Sequence, residues 1–422
     1  MHFFEYRGGV LHAEGSSLPA LAREVETPFY VYSAATIRRH FNVFSRAVAD
    51  LDALVCYAMK ANSNQAVLKL LAGMGAGMDV VSEGELLRAR AAGVAGEKIT
   101  FSGVGKTDRE IALALDMGIF CFNVESEPEL ANISRIAAAR GAVAPVSLRV
   151  NPDVDAKTHA KISTGKSENK FGVPISVAAD VYDRATGLSG VRIAGVDMHI
   201  GSQITDLAPF DNAFALLANF VCELRRRGHG LHHVDLGGGL GIPYSEQENP
   251  QSYHPELYAE IVRRHIKPLG LKTLFEPGRL IVGNAGVLVT TVLYVKRGAG
   301  KNFVIVDAAM NDLVRPTLYE AHHDIFPVVL PAEGAKTLHA DLVGPVCETG
   351  DYLAKDRLLP EVEPGDLLAI MSAGAYGAVQ AGTYNSRLLV PELLVDGDRR
   401  AVIRPRLGYE DLIGLDRAPT WL

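Results

Sequence analysis

Four places along the chain put chemically capable residues directly after short apolar runs. The first is Tyr57-Ala58-Met59-Lys60-Ala61-Asn62. A lysine at the end of a buried strand is partly desolvated, which lowers its pKa and frees the amine for Schiff-base chemistry. Taken alone it reads more simply as a lysine that snorkels to water. The second is His199-Ile200-Gly201-Ser202-Gln203. Its flat imidazole could stack on an aromatic cofactor and its serine could donate to a phosphate, although a histidine satisfied by backbone explains it more simply. The third runs from Asp235 through Gly237, Gly238 and Gly239 to Gly241. Residues without side chains let consecutive N–H groups close around an anion, with a plain tight turn as the alternative. The fourth is Glu276-Pro277-Gly278-Arg279. The glutamate can keep a pyridine nitrogen protonated, and the arginine can meet a phosphate or carboxylate with two hydrogen bonds. A surface ion pair is the competing account.

These residues need elements to position them. Short apolar runs fall at Ala53–Met59, Met78–Val81, Lys98–Phe101, Ile119–Val124, Pro145–Val150, Ile193–Ile200, His232–Leu236 and Leu271–Phe275. Between them lie helical stretches such as Glu83–Ala92, Ser126–Arg140 and Pro209–Arg227, with apolar residues at three-and-four spacing. Apolar strands alternating with helices imply parallel strands buried on both faces. Eight units in roughly 240 residues predict a (β/α)8 barrel. A doubly wound open sheet fits less well, because no glycine fingerprint follows the first strand. Barrel enzymes work at the carboxyl ends of their strands, with phosphate sites after strands seven and eight. A lysine, a flat side chain, a phosphate nest and a carboxylate therefore converge on one barrel mouth. Together they meet the needs of pyridoxal phosphate.

After Glu276 the texture changes. Ile281–Lys296, Asn302–Asp307, Asp366–Met371 and Pro391–Val395 read as strands with little helix between them. This predicts an α/β chain with the barrel at 28–275 and a second, mostly β domain, sandwich- or barrel-like, from residues 1–27 and 276–422. Met1–Val25 is too short to fold alone and is read as a strand added to that domain, which would make the barrel an insertion. The net charge of -7, with 42 basic residues spread over 422, argues against nucleic acid as a partner. The four cysteines form no C-x-x-C pair, so neither a zinc ribbon nor a disulfide framework is expected. The adjacent histidines at 232–233 and 322–323 do not suggest a metal site, since neighbouring side chains diverge. There is no secretory signal pattern at the start and no apolar run long enough for a bilayer. A cytoplasmic enzyme without metal or membrane partner is the expectation.

In these motifs the sequence closely resembles the alanine-racemase-like fold of pyridoxal-phosphate enzymes, and within it the diaminopimelate decarboxylases. The resemblance runs from about Thr27 (TPFYVY) to the C-terminus. It includes Asn151–Gly172 (NPDVDAKTHAKISTGKSENKFG), Met310–Tyr319 (MNDLVRPTLY), Gly344–Asp351 (GPVCETGD) and Ala373–Arg387 (AGAYGAVQAGTYNSR). One departure is Thr349, where the family more often has serine. The resemblance implies that Lys60 carries the cofactor, His199 stacks on its ring and Glu276 pairs with the pyridine nitrogen. Ser202, the Gly237–Gly239 run, Gly278 and Arg279 would hold the phosphate region. Arg279, Arg315 and Tyr319 would contact substrate, Cys347 would donate a proton, Glu348 would read substrate, and Tyr376 would touch both cofactor and substrate. Asp79 matches an acid of the related ornithine decarboxylases and is assigned a supporting place beside the cofactor. The family is dimeric, with Cys347 and Glu348 reaching into the partner's barrel.

The implied reaction is decarboxylation of meso-diaminopimelate to L-lysine, the last step of lysine biosynthesis. A distal carboxylate calls for Arg315 and Arg279, and a distal ammonium for Glu348. Lysine or ornithine would leave buried arginine unpaired. The nearest rivals are decarboxylases of the same fold acting on ornithine, arginine or carboxynorspermidine; Arg315, Tyr319 and the 151–172 run speak against them. A racemase would place arginine rather than Glu276 at the pyridine nitrogen. A cofactor carrier without catalysis would lack the added β domain.

Overall fold

The computed structural model describes residues 2–156, 158–162, 164 and 170–422. They form two compact units: Met1–Arg39 with Pro243–Glu248 and Ile281–Leu422, and His40–Ile242 with Asn249–Leu280.

The second unit is a closed ring of eight parallel strands: β1 Ala53–Ala58, β2 Gly77–Val80, β3 Ile99–Phe101, β4 Cys121–Val124, β5 Ala144–Asn151, β6 Val191–Asp197, β7 His233–Asp235 and β8 Lys272–Phe275. Each strand pairs with the next, and β8 closes on β1 through Thr273 opposite Ala53 and Phe275 opposite Val55. The predicted barrel is therefore present, and each expected apolar run overlaps one of its strands. The reason lies in burial: Cys56, Tyr57, Met78, Phe101, Phe122, Leu148, Val196, Val234 and Phe275 are all buried. Strands covered on both faces read as unbroken apolar runs. Three of the strand-to-helix turns carry their own start signals. The hydroxyls of Ser82, Thr107 and Ser126 accept from the backbone of Glu85, Glu110 and Glu129. Such caps satisfy amide groups that would otherwise have no partner at a helix start. Each turn is thereby pinned where a functional side chain leaves its strand.

The first unit is built on a large mixed sheet. Its strands run in the order Tyr352–Pro360, Thr337–Val343, Asn302–Val306, Gly286–Lys296, Phe29–Ser33, Glu392–Asp396 and Arg399–Arg404. Leu367–Ile370 pairs with both Gly286–Lys296 and Ile325–Pro327. Phe29–Ser33 is buried at every position because it sits between two cores. Tyr30 and Tyr32 pack with Leu288, Val304 and Ile370. Phe29 and Val31 pack with Val287, Val289 and Leu393 on the other face. Phe4–Arg7, Val10–Ala13 and Ser16–Ser17 make a small antiparallel sheet of their own. The expected strand over Ile281–Lys296 begins later. Ile281 and Val282 lie in a short helix, Arg279–Val282, and the strand starts at Gly286. A continuous apolar run does not distinguish a buried helical turn from a strand.

Candidate active site

The carboxyl ends of the barrel strands gather Lys60, Asp79, His199, Ser202, Gly237, Gly238, Gly239, Glu276, Gly278 and Arg279 within one unit. Lys60 lies in the single helical turn after β1, and its Nζ is 3.0 Å from Oδ2 of the fully buried Asp79 on β2. Asp79 Oδ1 has no hydrogen-bond partner among the described residues.

Beside this pair the barrel interior concentrates acid. Asp197, Asp235 and Glu276, at the ends of β6, β7 and β8, are all buried. Burial pushes Glu276 well above the usual carboxylate range, and the charges of Asp235, Asp79 and Asp197 push it further. Burial does the same to Asp197, helped by Asp235 and opposed by Arg149. Asp235 is raised mainly by burial, although Gly237 N–H and Asn123 stabilise its charge. The Asn123 amide on β4 donates to Asp235 Oδ2 at 3.2 Å and to Glu276 Oε1 at 3.3 Å, and Thr100 on β3 donates to the same Glu276 oxygen at 3.4 Å. This end of the site is short of positive charge.

The opposite character appears after β6, β7 and β8. The Arg279 guanidinium donates to Ser202 Oγ at 3.1 Å. Gly237 and Gly239 have φ of 61° and 105°, a region costly for residues with a Cβ. A Cβ at Gly238 would lie 2.2 Å from the Glu276 carbonyl oxygen, and one at Gly239 would lie 2.4 Å from that of Gly201. The glycine run is therefore required by close approach as well as by turn geometry. Ile204 N–H donates to Gly239 O, and Gly241 N–H donates back to Ile204 O, both at 2.9 Å, locking the two loops together. Gly238 N–H donates to His199 Nδ1 at 3.2 Å. His199 must then be unprotonated at Nδ1. Burial, with the charges of Arg149 and Lys60, holds its pKa well below the ordinary value.

This bipolar site suits a flat group with a protonatable ring nitrogen at one end and a phosphate at the other. The crowded carboxyls with an unpartnered Asp79 oxygen favour a cation. The Gly237–Gly239 loop, Ser202 and Arg279 offer donors to a dianion. A neutral, fixed imidazole offers a face. On these grounds the residues fit pyridoxal phosphate.

Several residues of the site were not singled out in the sequence. Asn123 and Asp197 each interrupt or end an apolar strand, and that was their signal. Buried Arg149 donates to Glu125 Oε1 at 2.9 Å and to the His199 carbonyl at 3.3 Å. The other Glu125 oxygen accepts from Gly172 N–H at 2.8 Å. Glu85, raised to about 7 mainly by burial, feels the charges of Asp79 and Lys60. The 151–172 run, expected to carry a family motif, is only partly described: residues 157, 163 and 165–169 lie outside the described residues.

The sheet-rich unit holds the remaining candidates. Arg315 is buried and starts the helix Arg315–Tyr319. Its Nη1 donates to His323 Nε2 at 2.8 Å, while His323 Nδ1 donates to the Met371 carbonyl at 2.7 Å. The guanidinium stacks on Tyr244, 4.5 Å from the ring centre, and Tyr244 meets His323 edge-on. Tyr319 and Tyr376 are half-buried, whereas Cys347 and Glu348 are exposed. Cys347 N–H donates to Asn385 Oδ1 at 2.9 Å, and Glu348 hydrogen-bonds Tyr384, raising the phenol's pKa. Asp351 fixes the segment by accepting from Met310 N–H and Val346 N–H, both at 2.6 Å. Tyr376 has φ 55°, an uncommon backbone for a bulky residue and one that concentrates at functional sites. Among the described residues no cluster of histidine, cysteine or carboxylate side chains could hold a metal, and no helix is long and apolar enough to cross a membrane.

Residues 34–283 match the model of the pyridoxal-dependent decarboxylase family's pyridoxal binding domain. The chain is 50% identical to the diaminopimelate decarboxylase of Pseudomonas aeruginosa over 412 residues, covering 98% of each. Among solved structures it is similar to the diaminopimelate decarboxylase of M. jannaschii in co-complex with L-lysine, with TM-score 0.94, 36% identity and coverage of 99% and 98% of the two chains. It is also similar to that of Helicobacter pylori complexed with L-lysine, with TM-score 0.89, 43% identity and coverage of 94% and 98%.

Proposed function

Because the chain belongs to the pyridoxal-dependent decarboxylases, and within them to the diaminopimelate decarboxylases, we propose that it releases carbon dioxide from one amino-acid centre of meso-diaminopimelate and leaves L-lysine, the last step of lysine biosynthesis. Pyridoxal phosphate, when bound, supplies an electron sink for the pair left by the departing carboxylate. The chain's own residues divide the remaining work. Lys60 anchors the cofactor through its amine, within reach of Asp79. Glu276, inside its carboxyl cluster, would pair with the ring nitrogen and favour its protonated form. His199 stays neutral and presents a flat face. The Gly237–Gly239 loop, Ser202, Gly278 and Arg279 hold the phosphate region.

Substrate reading falls to Arg315, Tyr319 and Glu348, with Arg279 and Tyr376 at the junction of cofactor and substrate. Arg315 is already oriented by His323 and Tyr244, so little freedom is lost when it meets a distal carboxylate. Cys347 delivers the proton that replaces the lost carboxylate. Cys347 and Glu348 are assigned to the partner's barrel in a homodimer, and the enzyme to the cytoplasm. The observation that carries this reading is the bipolar barrel mouth, with acid beside Lys60 and an anion cradle across from it.

The test is carbon dioxide release from meso-diaminopimelate beside ornithine and L-lysine as substrates. Turnover of meso-diaminopimelate with L-lysine as product is expected. Faster turnover of ornithine would reassign the substrate, and loss of chirality without gas would reassign the reaction.

A further inference from the structure

The sheet-rich unit encloses a second cavity of about 210 Å³, lined by Glu246, Asp324, Phe326, Arg357, Leu358 and Leu359 among others. It lies below the roughly 300–1,000 Å³ of drug-sized pockets, so it suits a small molecule. Its chemistry is unusual for a packing defect. Arg357 is partly buried, and burial lowers its pKa, with Asp324 the opposing charge. Its hydrogen bond runs from Nη1 to His322 Nε2 at 3.0 Å. That same Nε2 lies 2.8 Å from Asp324 Oδ1. One imidazole nitrogen either accepts from the arginine or donates to the carboxylate, never both. Arg357 therefore competes for its acceptor, in a place where a desolvated guanidinium favours an anion.

The rest of the cavity defines the anion. Phe326, Leu358 and Leu359 supply an apolar wall, and Leu358 is 62% exposed. Asp324 Oδ2 accepts from Glu246 N–H at 2.8 Å, which fixes the rim. The Glu246 carboxylate is exposed, and its charge reaches Tyr6. One guanidinium, two carboxylates and an apolar wall match a zwitterion with a hydrocarbon side chain. We propose that this cavity is a second binding site, for a free α-amino acid with an apolar side chain. Its carboxylate sits on Arg357, its ammonium faces Glu246 and Asp324, and its side chain lies on Phe326, Leu358 and Leu359.

Lining residues of the cavity adjoin in sequence those that hold Arg315. His322 faces Arg357, while His323, the next residue, holds Arg315. Glu246 lines the cavity, while Tyr244, two residues earlier, stacks on Arg315. Met371 accepts from His323 and donates to the Asp324 carbonyl at 2.9 Å. A ligand that draws Arg357 from His322 acts on the segment that orients Arg315. This linkage rests on reading Arg315 as a substrate residue; the binding site does not.

The experiment is calorimetric titration of the cofactor-loaded enzyme with L-leucine, L-leucinamide and 4-methylpentanoate. L-Leucine is expected to bind, and each analogue to bind at least about tenfold more weakly, because each lacks one charged contact. Arg357→Gln should weaken L-leucine at least about tenfold while kcat measured without L-leucine stays within about twofold. Leu358→Glu, at an exposed position that tolerates charge, should also abolish binding and guards against misfolding of the arginine variant. Glu246→Gln should weaken L-leucine and leave 4-methylpentanoate unchanged. Absence of saturable L-leucine binding, or binding unaltered in both Arg357→Gln and Leu358→Glu, overturns the site. Saturating L-leucine should shift KM for meso-diaminopimelate at least about threefold. An unchanged KM with intact binding overturns only the linkage to Arg315.

Discussion

The barrel mouth and the sheet-rich unit handle polar chemistry in opposite ways. The barrel buries its groups and fixes them with main chain. Glu276 N–H donates to Gly237 O at 2.8 Å, Ala58 N–H donates to Pro277 O at 3.2 Å, and the glycine loop cannot take side chains. In the sheet-rich unit Arg315 is buried and held by the side chains of His323 and Tyr244, while Cys347 and Glu348 are exposed beside Asn385 and Tyr384. Groups that must meet a cofactor of constant shape sit on strand ends that cannot move far. Cys347 and Glu348, which the proposal gives to proton delivery and substrate reading in a neighbouring barrel, sit in a loop, where change disturbs little else. The difference teaches that a cofactor site and a substrate site can be built to different tolerances in one chain.

The sharpest cut on the barrel side is Lys60→Ala. It should reduce carbon dioxide release at least about 1,000-fold and remove the visible absorbance of the lysine-anchored cofactor. Retained absorbance would break the assignment of the whole mouth. The comparison can then be broken between chains. Lys60→Ala and Cys347→Ala are each expected to be nearly inactive. Mixed and allowed to exchange subunits, they should recover roughly a quarter of wild-type activity, since half of the dimers are mixed and each carries one intact site. No recovery, with exchange shown by mass spectrometry, would return Cys347 to its own chain's barrel.

On the substrate side, Arg315→Leu should lower kcat/KM for meso-diaminopimelate by about 10- to 100-fold, the worth of a charge-assisted pair to a distal carboxylate. Cofactor affinity, measured by absorbance titration, should stay the same. A loss of cofactor affinity instead would place Arg315 on the barrel's side of the division.

The same division decided what the sequence could reveal. The barrel was legible because eight buried strands leave eight apolar runs, and the strand ends mark the catalytic face. Lys60, His199, the glycine run and Glu276 were found by position alone. Asn123 and Asp197 were not, since a single polar residue inside an apolar strand carries no role until the fold shows its neighbours. Arg149 and Glu125 were hidden for the same reason: their partners are the His199 carbonyl and Gly172 N–H, which only tertiary structure brings close. In the sheet-rich unit, the strand Phe29–Ser33 shows no polar residue until Ser33 because both faces are covered, so alternation could not announce it as a sheet strand. Arg315 came from a motif. His323 and Tyr244, which hold it, came from nowhere in the pattern, because 71 residues separate Tyr244 from Arg315 (315 − 244).

The smallest expected effect asks what the barrel loses by burying acid. Asp197 is 2% exposed, and its Oδ1 has no hydrogen-bond partner among the described residues. Its pKa lies well above the usual value, first through burial and then through Asp235. The native state therefore holds a proton that the unfolded chain, titrating near about 3.9, has already lost. Stability contributed by the neutral carboxyl is fully present below that unfolded value and declines as pH rises through the folded one. Asp235 and Glu276 are shifted the same way, so enzyme stripped of cofactor should lose thermal stability as pH rises above about 4. Asp197→Asn removes one titrating group without changing its shape. Its Tm should fall less steeply over that range, and near neutrality it should exceed wild type by on the order of 1 kcal/mol, a few degrees. Bound cofactor should narrow the gap, because a cation near the cluster stabilises the ionised carboxyls that the bare barrel cannot. Equal slopes for both proteins would mean that the buried acids are neutralised by the barrel itself, and the contrast between a charge-starved mouth and a loosely built substrate unit would lose its electrostatic half.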